Sequence, residues 1–128
     1  DSDGDNRPIV PLWLEGGVTA LRPLEVAAGE DAVALRKTYG KRLALVGNID
    51  KRALIDGPEA KAAIEAEVLS KVPWLLTQGG YIPQIDHLTP PDVSLENYWY
   101  YWNLVKEISL DPERYLHEAR RRGLWTDD

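Results

Sequence analysis

The sequence predicts an α/β protein built on a parallel sheet. Three short runs are apolar throughout instead of alternating: residues 18–21 (VTAL), 43–46 (LALV) and 80–83 (GYIP). Such runs suit strands covered on both faces. Stretches of helical period separate them, and strand–helix–strand alternation at this spacing implies βαβ units. Each run also closes on polar residues, at the strand ends where parallel α/β folds place their reactive groups.

The elements follow in order. Ile9, Leu12 and Trp13 make a short amphipathic turn closed by Gly16. The first run follows Gly16-Gly17 and ends at Arg22-Pro23-Leu24-Glu25. Residues 31–39 begin on an acid and stop before Gly40, as a capped helix does. The second run ends in Gly47-Asn48-Ile49-Asp50. Residues 58–76 carry Ile64, Val68, Val72 and Leu75 or Leu76 on one helical face, and Pro73 should bend or end that helix near its last turn. The third run belongs to GGYIPQIDH, residues 79–87, which stops at Asp86-His87 before a turn through Pro90-Pro91. Ser94 caps a helix whose core face reads Leu95, Tyr98 and Trp99, Trp102, Val105, Ile108. Asp111-Pro112-Glu113 opens a final helix that ends at Gly123.

The chain of 128 residues is 44% hydrophobic and 28% charged, which fits one globular domain. A net charge of −6 speaks against a nucleic-acid or anionic-membrane partner. The aromatic cluster at 98–102 lacks the basic groove that base stacking needs, and Arg120-Arg121-Arg122 reads as cations at a helix end. Without cysteine there is no disulfide, thiolate metal site or thiol nucleophile, which fits a reducing cytoplasm, the expected compartment. No apolar run approaches the ~18 residues of a membrane span. The chain begins with Asp and has no Met, so it is expected to be processed or part of something longer. A parallel sheet of three or four strands leaves two open edges, so either a partner or further units of the same protein should supply strands.

Strand ends nominate the chemistry. They offer Arg22 and Glu25 after the first strand, Asn48 and Asp50 after the second, and Asp86 with His87 after the third. The opening Asp1-Ser2-Asp3-Gly4-Asp5 reads as the end of an earlier strand. Asp3-Gly4 is equally a turn pair. Gly47-Asn48 is either a relaxed strand exit or part of the site, and Glu25 either lines it, pairs with Arg22 or Lys51, or caps the helix at Asp31. His117 reads as an exposed helical residue. His87 is the strongest candidate: histidine changes charge near neutral pH and so can bind a carboxylate or relay a proton. Asp3, Asn48 and His87 are expected to converge on one mouth.

The order Asp3-Gly4, then Gly47-Asn48-Ile49-Asp50, then a glycine-led strand ending in His87 with Pro-Asp and a helix beyond resembles the uroporphyrinogen decarboxylase superfamily. The similarity spans roughly residues 1–108 and corresponds to the C-terminal half of that family's (β/α)8 TIM barrel. It implies residues 1–110 as that half-barrel and 111–128 as a helical tail, with the N-terminal half of the barrel, or a second copy, as the missing partner. The resemblance also implies cofactor-free decarboxylation of tetrapyrrole acetate side chains, with His87 as the family's cleft histidine; the strand ends add Asp3 as a catalytic candidate and Asn48, Glu25 and Arg22 as substrate-binding ones. The catalytic aspartate and arginines of the other half-barrel are not in this chain, so alone it should be inactive. A second branch of the superfamily exchanges methyl groups with corrinoid proteins and uses zinc. Its implied metal positions fall here on Asp1, Asp3 and His87, without the family's thiolates. A third expectation is a non-catalytic, self-associating half-barrel.

Overall fold

A row of apolar side chains organises the sheet. Leu21, Leu45 and Tyr81 stand side by side on β1 (Ala20–Leu21), β2 (Ala44–Ile49) and β3 (Tyr81–Ile85), and all three are buried. The strands are parallel and lie in the order β1-β2-β3. The structure, a computed structural model, describes residues 1–55 and 57–128. α1 (Val10–Glu15) precedes the sheet; α2 (Ala32–Tyr39) joins β1 to β2; α3 (Ala60–Leu69) and α4 (Val72–Gln78) join β2 to β3. α5 (Leu95–Leu110) and α6 (Pro112–Arg121) complete the chain. The fold is α/β.

α2 packs on β2, α4 packs on β3, and the two helices touch, so they cover the same face of the sheet. The opposite face carries Ala20 beside Ala44 and Val46 beside Ile82, and Ile82 is 62% exposed. The expectation of strands covered on both faces therefore fails: an uninterrupted apolar run does not say whether its second face has a neighbour. The strand bounds shift too. β1 is only two residues long, β2 continues through Gly47-Asn48 to Ile49, and β3 extends to Ile85. The opening residues form no strand; the Ser2 amide donates to the Arg22 carbonyl at 3.0 Å just past β1.

Helix starts follow local chemistry. The side chains of Asp31, Ser94 and Asp111 accept backbone amides of α2, α5 and α6, as read from the sequence. The expected helix over 58–76 is two helices, and Pro73 lies in the first turn of the second instead of ending the first. The break at Ser70-Lys71 lets the Lys71 ammonium donate to the Asn48 carbonyl at 2.9 Å and to Glu67 at 2.6 Å.

On α5 the buried residues are Asn97, Tyr101, Val105 and Ile108. Leu95, Trp99 and Trp102, expected in the core, are 71%, 51% and 47% exposed. The helix carries two apolar stripes, and periodicity alone did not say which meets α3 and α4. α6 packs on α4, and Trp125 beyond it stacks on Trp74 with ring centroids 5.0 Å apart. The last eighteen residues thus share the main core through Leu116, Ala119 and Trp125.

Under the helices, Arg36 is buried and donates to the carbonyls of Leu43 (2.8 Å), Gly79 (3.0 Å) and Gly80 (2.7 Å), among others. One guanidinium thereby ties the entry of β2 to the entry of β3, using the fan of donors that only arginine has.

Two core tyrosines make stability sensitive to alkali. Burial, with Tyr98 nearby, pushes the Tyr101 phenol up to about 12 from an ordinary 10.0. Burial raises Tyr81 further still; its hydroxyl donates to the Gly47 carbonyl at 2.8 Å. The native state therefore keeps protons that the unfolded chain releases above pH 10, so stability is complete below that pH and falls as pH rises. We expect the loss for Tyr101 alone to be about 1.4 kcal/mol per pH unit toward pH 12. Urea midpoints measured from pH 8 to 11.5 check this; a midpoint flat to pH 11.5 contradicts it.

Candidate functional site

The carboxyl ends of the strands are held together by three buried polar side chains. Asn48 takes a left-handed conformation (φ 64°), which asparagine tolerates better than most residues, and is 1% exposed. Its side-chain oxygen accepts from the Ala32 amide (2.9 Å), and its NH2 donates to the carbonyls of Leu24 (2.8 Å) and Glu30 (3.0 Å). Asp86 is completely buried; one oxygen accepts the Val26 amide (2.8 Å) and the other the Lys51 amide (3.1 Å). It thereby joins the end of β3 to the loops leaving β1 and β2. Glu30, also buried, accepts the Asn6 amide at 2.6 Å and fastens the opening segment to the start of α2.

The opening segment is further fixed from both sides. Glu25 accepts the Gly4 amide at 3.1 Å. Arg7 grips Asp5 with two side-chain hydrogen bonds of 2.7 Å, which hold that carboxyl down at about 2. These restraints leave Asp1 and Asp3 facing the strand ends. A pocket of about 250 Å³ opens there, lined by Asp1, Asp3, Arg22, Gln84, Ile85 and His87, with Pro23 and Leu88 at its margin. Arg22 and Asp1 form an exposed ion pair at 3.5 Å. His87 is exposed, and among the described residues its imidazole has no hydrogen-bond partner.

Of the residues nominated from sequence, Asp1, Asp3, Arg22 and His87 meet in this pocket. Asn48 and Glu25 do not. Asn48 is a correction: its side chain is committed to three backbone groups and is closed to a ligand. Glu25 lies one layer back, holding the loop that carries Asp3. Asp86, nominated beside His87 at the end of the third strand, lies outside the pocket as well. It was visible only as the acid before His87, and its two partners lie 60 and 35 positions away. Alternation along β3, with Tyr81 and Ile85 facing in, would turn Asp86 out; the chain leaves the strand after Ile85 and buries Asp86 instead.

The pocket combines an imidazole, a guanidinium and two carboxylates on loops tied at their bases. That set can orient a carboxylate-bearing molecule and exchange a proton with it. Among the described residues no group of three or more His, Cys, Asp or Glu side chains is gathered as a metal site. Asp1, Asp3 and His87 share walls of one pocket.

A larger cleft of about 640 Å³ lies in the helical layer between α3, α5 and α6. Its carboxylates are already engaged: Glu65 by Tyr100 and Arg122, Glu107 by Tyr115, Glu118 by Arg121. His117 lies exposed on its wall. No strand end contributes to it, so we place the candidate site at the smaller pocket. Among the described residues no helix is long and apolar enough to cross a membrane. Comparisons with protein-family models, curated proteins and solved structures gave no match to this chain.

Proposed function

We propose that the chain is part of a (β/α)8-barrel enzyme of the uroporphyrinogen decarboxylase type, acting on a carboxylate-bearing small molecule. The observation that carries this reading is the meeting of Asp1, Asp3, Arg22 and His87 in one pocket at the carboxyl ends of the strands. Two further features support it. The strands lie in sequence order with helices on one face, and among the described residues no further strand pairs with β1 or β3 at the sheet edges.

In this reading Arg22 pairs with a substrate carboxylate in place of Asp1, and His87 orients the group that reacts. The bond from carbon to the departing carboxylate breaks, carbon dioxide leaves, and the electron pair stays on carbon. A proton delivered through His87 then fills that position, with Asp3 placed to balance the charge of the imidazolium. Nothing in this sequence of steps needs a cofactor. The corrinoid-linked methyl transfer reading requires a zinc held by Asp1, Asp3 and His87; it stands second because the thiolates of that branch are missing from this chain.

Tetrapyrrole turnover by the whole protein, followed by release of carbon dioxide, tests the proposal. His87→Ala should lower the rate by roughly 10²–10⁴-fold, the usual contribution of a placed acid or base. Arg22→Ala should act mainly on KM. Tetrapyrrole binding and carbon dioxide release that both survive loss of His87 would sink the assignment.

A further inference from the structure

We infer that the exposed stripe of α5 is a self-association surface, on which a second copy of this chain seats its own α5 in antiparallel orientation. This goes beyond the enzymatic reading and does not rest on it.

The stripe comprises Leu95, Trp99, Trp102, Lys106 and Leu110, spaced so that all lie on one side of a helix of 16 residues. Leu95 is 71% exposed, Trp99 51%, Trp102 47% and Leu110 80%. This side lies well around the helix from the residues that α5 buries, Asn97, Tyr101, Val105 and Ile108. Lys106 is its one charged member, and among the described residues Lys106 has no ion pair.

The order of these residues is self-complementary. When two copies of α5 pair antiparallel about a two-fold axis through the helix centre, each position meets the one equally far from the opposite end. Leu95 then meets Leu110, the Lys106 ammonium meets the Trp99 ring face, and the two Trp102 rings meet near the axis. Neither acid on the flanks faces its like: Glu96 comes opposite Ser109, and Glu107 opposite Tyr98. Parallel pairing would set Lys106 against Lys106. Charge therefore favours the antiparallel direction for a second copy.

The area sets the strength. Two half-exposed tryptophans and two largely exposed leucines offer on the order of 500 Å² per copy. That falls short of the ~800 Å² per partner of a standard-size interface, so the dimer is weak, and with −6 on each chain it should tighten as salt screens repulsion.

Sedimentation equilibrium of the 128-residue chain tests this, since its monomer mass is 14.4 kDa. The expected result is a monomer–dimer equilibrium with a Kd of roughly 10–100 μM, strengthened by salt. Trp102→Glu should be monomeric throughout with an unchanged circular dichroism spectrum. Because the chain has no cysteine, direction can be read by cross-linking. Leu95→Cys mixed with Leu110→Cys should form the mixed disulfide in preference to either homodimer. A chain monomeric to ~1 mM overturns the inference. So does a dimer indifferent to Trp102→Glu but broken by Ile82→Pro, which would mean pairing through the open edge of β3, or preferred homodimer disulfides, which would mean the wrong direction.

Discussion

Replacing Gly47 by alanine is expected to abolish cooperative folding, or to cost roughly 4 kcal/mol or more. Gly47 sits in β2 at φ 107°, a conformation that disfavours any side chain. A methyl group there would overlap the Pro23 carbonyl oxygen and lie 2.9 Å from its carbon and 3.2 Å from the Pro23 Cα. All three are backbone atoms, so no rotamer change relieves the overlap. The loop cannot withdraw cheaply either, because the Asn48 amide donates to that same carbonyl at 2.9 Å and the Asn48 side chain holds Leu24 at 2.8 Å. The left-handed backbone contributes about 1 kcal/mol; the steric overlap supplies the larger share. Gly16→Ala is the control, since a methyl group there meets its nearest atoms at 3.5 Å. Urea unfolding of both variants decides the matter. A Gly47→Ala transition within 1 kcal/mol of the parent's would show that the loop after β1 yields far more easily than its hydrogen bonds imply.

The second large effect is expected at Asp86. Alanine in its place leaves the Val26 and Lys51 amides without their acceptor and should cost about 3 kcal/mol, the penalty for removing a buried charged acceptor from partly buried donors. The loss should be local in character. Amide exchange at Val26 and Lys51 should accelerate more than at Leu45 or Ile49, which the sheet continues to hold. Asp86→Asn keeps one acceptor oxygen but turns an NH2 group toward the other donor, so it should fall between parent and alanine. Unchanged protection at both amides in Asp86→Ala, together with a loss below 1 kcal/mol, would mean that the strand ends are fastened elsewhere. Because the same loops carry Arg22 and His87, this variant should also widen the pocket they share.

These two residues show how far the sequence could be read. Gly47-Asn48 reads from sequence as a relaxed strand exit or part of the site, whereas β2 runs through it to Ile49; glycine and asparagine are the two residue types that tolerate a left-handed turn. Its true task, admitting the Pro23 carbonyl and clamping three backbone groups, depends on segments far away in the chain. Asp86-His87 was legible as a strand end that aims a titratable group into a cleft. Which of the two is buried, and what it binds, was not legible, because Asp86 lies past the end of β3 and its partners are distant in the chain. Periodicity likewise located α5 and its cap at Ser94. It could not choose between the side bearing Leu95, Trp99 and Trp102 and the side bearing Tyr101, Val105 and Ile108, because the choice is made by α3 and α4.

What the sequence determined by itself was local: the capped helix starts, the glycine stops, the parallel α/β class, and the polar residues closing each strand. These rest on interactions within a few residues, which any reader of the chain can enumerate. The tertiary structure alone decided that Asp1, Asp3, Arg22 and His87 share a pocket, that Asn48, Asp86 and Arg36 are buried fasteners, and that one face of the sheet stays open. Each of those outcomes is a contact between segments distant in sequence. Such contacts are selected by packing, and by the cost of leaving a buried polar group without a partner, and neither leaves a mark at a single position.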